Sequence, residues 1–188
     1  MYGHSNLMEI PMKPFPKTLL QIAGASVTPS PLDRSALILI DHQLEYVTGA
    51  LPLCGIEAAI AEATKLLDLA RRHHVPVFHI VHHGRPGAAA FDPQGAYTAI
   101  MPELLPVDGE EVVIKSLPNS FASTSLNRLI QETGRKELII AGFATHMCVS
   151  ATTRAALDCS GRRRSVEQPR VKEIDAGSVR PNLALPAP

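Results

Sequence analysis

Cys148 stands in the stretch Gly142-Phe143-Ala144-Thr145-His146-Met147-Cys148-Val149, where the apolar run 138–141 meets a helical pattern over 149–157. A thiol at a strand-to-helix turn faces unpaired N–H groups and the positive end of the helix dipole, and both favour a thiolate. Two charged residues close similar apolar runs. Asp41 follows Ala36-Leu37-Ile38-Leu39-Ile40, and Lys115 follows Val112-Val113-Ile114. In an open parallel sheet the carboxyl ends of the strands line the ligand crevice. An Asp, a Lys and a Cys can converge there from three strand ends. Taken singly, a Cys in an apolar protein is an inert small hydrophobe, and a charge after a strand is a solvated end. The three together point to nucleophilic catalysis by a thiol.

The elements that must position these residues alternate. Strands are expected over 36–41, 76–81, 111–115 and 137–141, and helices over 56–73, 123–133 and 146–158. The first helix rests on the 3.6-residue spacing of Ile56, Ile60, Ala63, Leu66, Leu67 and Ala70. Ser123 is a candidate cap for the second helix and Gly134 its stop. Short helices are expected over 18–25 and 95–101, and the Gly/Pro/Ala-rich loop 84–93 is a candidate rim or lid. Residues 1–17 are punctuated by proline and read as a loose lead. This alternation implies right-handed βαβ units: an α/β fold of three layers, α/β/α, around a Rossmann-like parallel sheet.

Composition narrows the function. The chain has 188 residues and no net charge, enough for one core and too few for two domains. No basic face stands out over the first 160 residues, so nucleic acid is not an expected partner. No apolar run approaches the roughly 18 residues of a membrane span. Residues 1–16 lack the order of a signal peptide. Cys54, Cys148 and Cys159 form no Cys-x-x-Cys, which fits free thiols in a reducing compartment, the cytoplasm. Cys54 and Cys159 read as bystanders.

The chain resembles the isochorismatase-like cysteine hydrolases, which include nicotinamidases, N-carbamoyl amide hydrolases and streptothricin hydrolase. The matching pieces are Leu39-Ile40-Asp41-His42-Gln43, Val113-Ile114-Lys115, and Asn119-Ser120-Phe121 with Thr124, Leu126 and Leu129. The last is the Cys148 stretch with Thr152, Ala155 and Ala156. The resemblance runs over 18–159, and its wording is closest to the streptothricin-hydrolase branch. It implies a small-molecule amide substrate, cleaved through a thioester on Cys148. Lys115 then favours the thiolate, and Asp41 takes the thiol proton and passes it to the leaving amine. Backbone N–H groups of Ala144 and Cys148 hold the oxyanion. The resemblance also implies a cis Phe143–Ala144 peptide and, as in other members, a possible homo-oligomer.

Other positions are weighed against that pattern. Phe121, His42, Gln43 and Tyr46 are candidates for the substrate wall. His79, His82 and His83 cluster on or after the second strand, but no carboxylate follows until Asp92, and the nicotinamidase metal motif is missing. We expect no metal and no cofactor, with His83 lining the pocket, and His73 and His74 in solvent. His146 belongs at the pocket mouth or on the helix surface. After Cys159 the chain leaves the family pattern. The segment 160–188 is rich in Arg, Pro and charge, and its composition predicts no strand. We read this as a shift of reading frame near Cys159, which leaves the sheet without the family's last strands and the fourth strand as an exposed edge. Three readings follow. The first is an amide-cleaving cysteine hydrolase. The second is a catalytically impaired, partner-dependent remnant. The third is a thiol sensor, to which an Asp beside the thiol is less suited.

Overall fold

The computed structural model describes residue 22, residues 30–161 and residues 171–175. The lead 1–17 lies outside these residues. So do the short helix expected over 18–25, apart from Ile22, and most of the tail.

Five parallel strands form one sheet: β1 (Ser35–Ile40), β2 (Val77–His82), β3 (Glu111–Lys115), β4 (Glu137–Gly142) and β5 (Val171–Asp175), in the order β3-β2-β1-β4-β5. Three helices cover it: α1 (Ile56–Arg72), α2 (Leu126–Glu132) and α3 (Ser150–Gly161). β1 and β4 are buried along their whole length. That is why their sequences read as continuous apolar runs rather than alternating ones. Side chains still alternate between faces. Leu37, Leu39, Ile139 and Ala141 pack with Ala59, Ala63, Leu67 and Ala70 of α1. Ala36, Ile38, Ile40 and Ile140 pack with Leu126 and Ile130 of α2 and with Ala156 of α3. These two cores make the three layers expected from the sequence.

Three expectations change in detail. The 95–101 helix is a single 3-10 turn, Ala96–Thr98. α2 starts later than 123, because Ser123 has φ 58 and cannot join or cap the helix. Thr124 turns inward there, its hydroxyl donating to Ser120 O at 2.6 Å. The largest change is in the tail. β5 pairs with β4 from Leu138↔Val171 to Gly142↔Asp175, so β4 is interior and not an edge. Five residues that mix Val and Ile with Lys, Glu and Asp do not stand out from a charged, Pro-rich tail by composition.

The order 3-2-1-4-5 reverses between β1 and β4. That is the switch point where an open α/β sheet binds its ligand. Gly142 closes β4 there with φ 152, and a Cβ at this position would lie 2.1 Å from Ile40 O. The same carbonyl accepts Phe143 N–H at 3.0 Å. Only glycine lets the two strand ends approach this closely. Gly142→Ala is therefore expected to lower unfolding stability by more than ~2 kcal/mol, through strain and overpacking. Urea denaturation that shows an unchanged midpoint would contradict this.

Candidate active site

The three sequence-picked residues meet at the switch point. Asp41 follows β1 with φ 55, a backbone region Asp tolerates better than most residues, and its N–H donates to Ile80 O at 2.9 Å. Lys115 ends β3 and reaches across the strand ends. Its Nζ donates to Asp41 Oδ2 at 2.8 Å and to Cys148 Sγ at 3.3 Å. The Lys115 and Asp41 side chains have no exposed surface. Cys148 sits on one π-helical turn, Thr145–Val149, that leads into α3. Such turns recur at functional sites. The Phe143–Ala144 peptide just before it is cis.

Lys115 has a third acceptor that the sequence reading did not assign. His82 Nδ1 lies 3.0 Å from Nζ. An ammonium carries only donors, so Nδ1 must accept and the ring must be neutral there. Burial, then the Lys115 charge and His83, hold the His82 pKa down to about 4. The three protons of Lys115 are thus matched to three acceptors. The backbone N–H of His83, the residue expected in the pocket, donates to Lys115 O at 2.9 Å. Strand parity distinguishes the two histidines. Phe78 and Ile80 share the face of Val113 and Cys148, and two residues on from Ile80 is His82. His79 lies on the other face and meets Glu110 Oε2 at 2.8 Å. Among the described residues no three His, Cys, Asp or Glu side chains converge as a metal site.

The electrostatics correct one expectation. A lowered thiol pKa was expected, yet Cys148 is pushed up to about 11, first by burial and then by Asp41, with Lys115 pulling the other way. Burial also raises Asp41 above its usual range, against the Lys115 charge and hydrogen bond. The resting pair is therefore a thiol beside an unusually basic carboxylate, coupled through one ammonium. Asp41 Oδ1 is buried without a hydrogen-bond partner.

The surrounding residues divide into wall and scaffold. Phe121 packs at the border of the cluster that holds Cys148. Its loop is pinned to α3 by Ser120 N–H donating to Thr152 Oγ1 at 3.0 Å, with the two hydroxyls 2.9 Å apart. Tyr46 lies near enough for Asp41 and Cys148, after burial, to raise its pKa. Phe91, from the loop 84–93, was not picked from the sequence. Its ring lies edge-on to Tyr46 at 5.5 Å and to His82 at 5.0 Å. Buried Glu45 fixes that loop, accepting Phe91 N–H at 3.0 Å and Ala50 N–H at 2.6 Å. Two wall candidates are scaffold instead. Gln43 is buried and clamps the β2 end, accepting His82 N–H at 2.8 Å and donating to His82 O at 3.0 Å and Thr98 O at 2.8 Å. His42 is buried against Phe143, with ring centroids 5.0 Å apart. His146 is exposed.

Known proteins resemble this chain in sequence and in fold. Residues 35–159 match the isochorismatase domain model. A secreted isochorismatase effector of Verticillium dahliae is 38% identical over 120 residues, 64% of this chain and 63% of its own length. A streptothricin hydrolase of Streptomyces noursei is 32% identical over 127 residues, 68% of this chain and 46% of its own length. The chain thus spans less than two thirds of these two relatives. The crystal structure of an isochorismatase from Pseudomonas putida superposes with a TM-score of 0.71 at 41% identity, over 77% of this chain and 74% of that one.

Two outcomes test the electrostatics. The iodoacetamide reaction of Cys148, followed by mass spectrometry against pH, should have its midpoint above the ordinary thiol value of about 8.5. Asp41→Asn removes a negative neighbour and should lower that midpoint, while Lys115→Met should raise it; a wild-type midpoint below about 8.5 contradicts the reading. Burial, then His79, holds the pKa of His42 down to about 3 from its ordinary 6.5. Below pH 6.5 the unfolded chain takes up a proton that the folded chain refuses, so stability falls with pH across that window. His42→Phe should flatten this fall by about one proton, ~1.4 kcal/mol per pH unit. Urea unfolding between pH 7 and 4 checks it.

Proposed function

This chain belongs to the isochorismatase family, a family of hydrolases, and we propose that it cleaves the C–N bond of a small amide through a thioester on Cys148. The observation that carries the proposal is the buried Lys115 ammonium between Asp41 and Cys148, with Asp41 Oδ1 left open as an acceptor. Cys148 Sγ attacks the carbonyl carbon as its proton moves to Asp41. Lys115 remains between the two groups and opposes the negative charge on whichever has lost the proton. The oxyanion is held by the N–H groups of Ala144 and Cys148, which need no side-chain chemistry. The intermediate collapses as the C–N bond breaks, and Asp41 returns the proton to the departing nitrogen. Water then adds to the thioester while Asp41 takes its proton, and Cys148 leaves and regains a proton from Asp41. A carboxylate that both accepts and returns a proton suits an amine leaving group, which departs poorly without one. The raised pKa of Asp41 places that carboxylate closer to the operating pH.

The remnant reading rested on a sheet that stops at β4 and a site that falls apart. β5 beside β4, and Asp41 and Cys148 both within hydrogen-bonding distance of Lys115 Nζ, weigh against that reading. The free thiols of Cys54 and Cys148 support a reducing compartment. Among the described residues no helix is long and apolar enough to cross a membrane.

A panel of N-carbamoyl amino acids, nicotinamide and simple aliphatic amides tests the proposal. Cys148→Ala should abolish turnover of any amide the wild type cleaves. Asp41→Asn should lower kcat by about 10²–10⁴-fold. Acid-quenched wild-type enzyme should carry the acyl mass on the Cys148 peptide. Turnover that survives Cys148→Ala would overturn the assignment.

A further inference from the structure

We propose that His82 positions the substrate: Lys115 fixes its ring with the proton on Nε2, and that N–H reads an acceptor atom on the acyl portion of the substrate. The inference rests on Cys148 being the nucleophile, and goes beyond that reading by naming what binds the part of the substrate that stays on the enzyme.

Three devices hold this side chain. Gln43 clamps both backbone groups of His82, at 2.8 Å to its N–H and 3.0 Å to its carbonyl. Lys115 Nζ, 3.0 Å from Nδ1, fixes the tautomer. The Phe91 ring, edge-on at 5.0 Å, fixes the ring plane, and Phe91 is itself tied to Glu45. A neutral imidazole accepting at Nδ1 must donate at Nε2. Among the described residues that Nε2 has no hydrogen-bond partner, and His82 is partly exposed while Lys115 and Asp41 are not. The site therefore offers one oriented, neutral donor beside a thiol. Lys115 cannot serve as that donor, because its three protons already face Asp41, Cys148 and His82. A pre-set donor of this kind selects acyl groups that carry an oxygen or nitrogen acceptor and disfavours purely aliphatic ones.

Two isosteric variants separate the roles of the two ring nitrogens. His82→Asn keeps an acceptor at the Nδ1 position and loses the outer donor. His82→Gln keeps a donor near the Nε2 position and loses the acceptor for Lys115. The probes are two activated esters that acylate thiols, p-nitrophenyl N-acetylglycinate, whose acyl group has an amide acceptor, and p-nitrophenyl butanoate, whose acyl chain has none. Nitrophenol release gives the acylation rate, and Cys148→Ala gives the background. We expect His82→Asn to slow acylation by the glycinate ester about tenfold more than acylation by the butanoate ester, with the midpoint of the iodoacetamide pH profile of Cys148 kept in place by the retained acceptor for Lys115. His82→Gln should keep the glycinate preference and shift that pH profile. Equal losses with both esters, or no loss with either, would overturn the role of His82. If wild-type acylation by both esters does not exceed that of Cys148→Ala, the nucleophile assignment itself fails, an outcome distinct from the other two.

Discussion

The structure turns on one buried ammonium. Lys115 Nζ has three protons and three acceptors, Asp41 Oδ2, Cys148 Sγ and His82 Nδ1. A charge this deep is tolerable only when it is paired and hydrogen-bonded, and removing one partner of such a pair commonly costs about 3–5 kcal/mol. The contact sets chemistry as well as stability. It binds an acid and a thiol that burial drives toward their neutral forms, and it leaves one proton to move between them.

The rest of the fold brings these atoms together. Parallel pairing with His82 opposite Lys115 and Ile40 opposite Gly142 sets the strand ends side by side. The missing side chain of Gly142 lets β1 and β4 close to contact. Polar residues outside the chemistry hold the loops: Gln43 at the end of β2, Glu45 under Phe91, and the Ser120–Thr152 pair under Phe121. Each replaces lost backbone hydration with a fixed partner, so a loop-built site acquires the rigidity of the sheet.

Much of this was legible in the sequence, for identifiable reasons. Asp41 and Lys115 each end an apolar run and Cys148 follows the turn after a third, 138–141, and a doubly covered sheet turns such runs into converging strand ends. The layer order followed from the alternation of elements. His82 was also within reach, because counting by twos from Phe78 along β2 puts it on the face that Lys115 shares with Val113. Other features were not legible. The tie from Glu45 to Phe91 joins loops 46 residues apart and leaves no periodic trace. β5 is short and charged. The direction of the thiol shift depends on how deeply Cys148 is buried, and a helix N-terminus in a sequence does not report depth.

The most direct test is neutron diffraction from deuterium-exchanged crystals near pH 7, which locates the protons. The account predicts three deuterons on Lys115 Nζ, aimed at Asp41 Oδ2, Cys148 Sγ and His82 Nδ1, with His82 bare at Nδ1 and deuterated at Nε2. A deuteron on His82 Nδ1, or fewer than three on Lys115 Nζ, would contradict it.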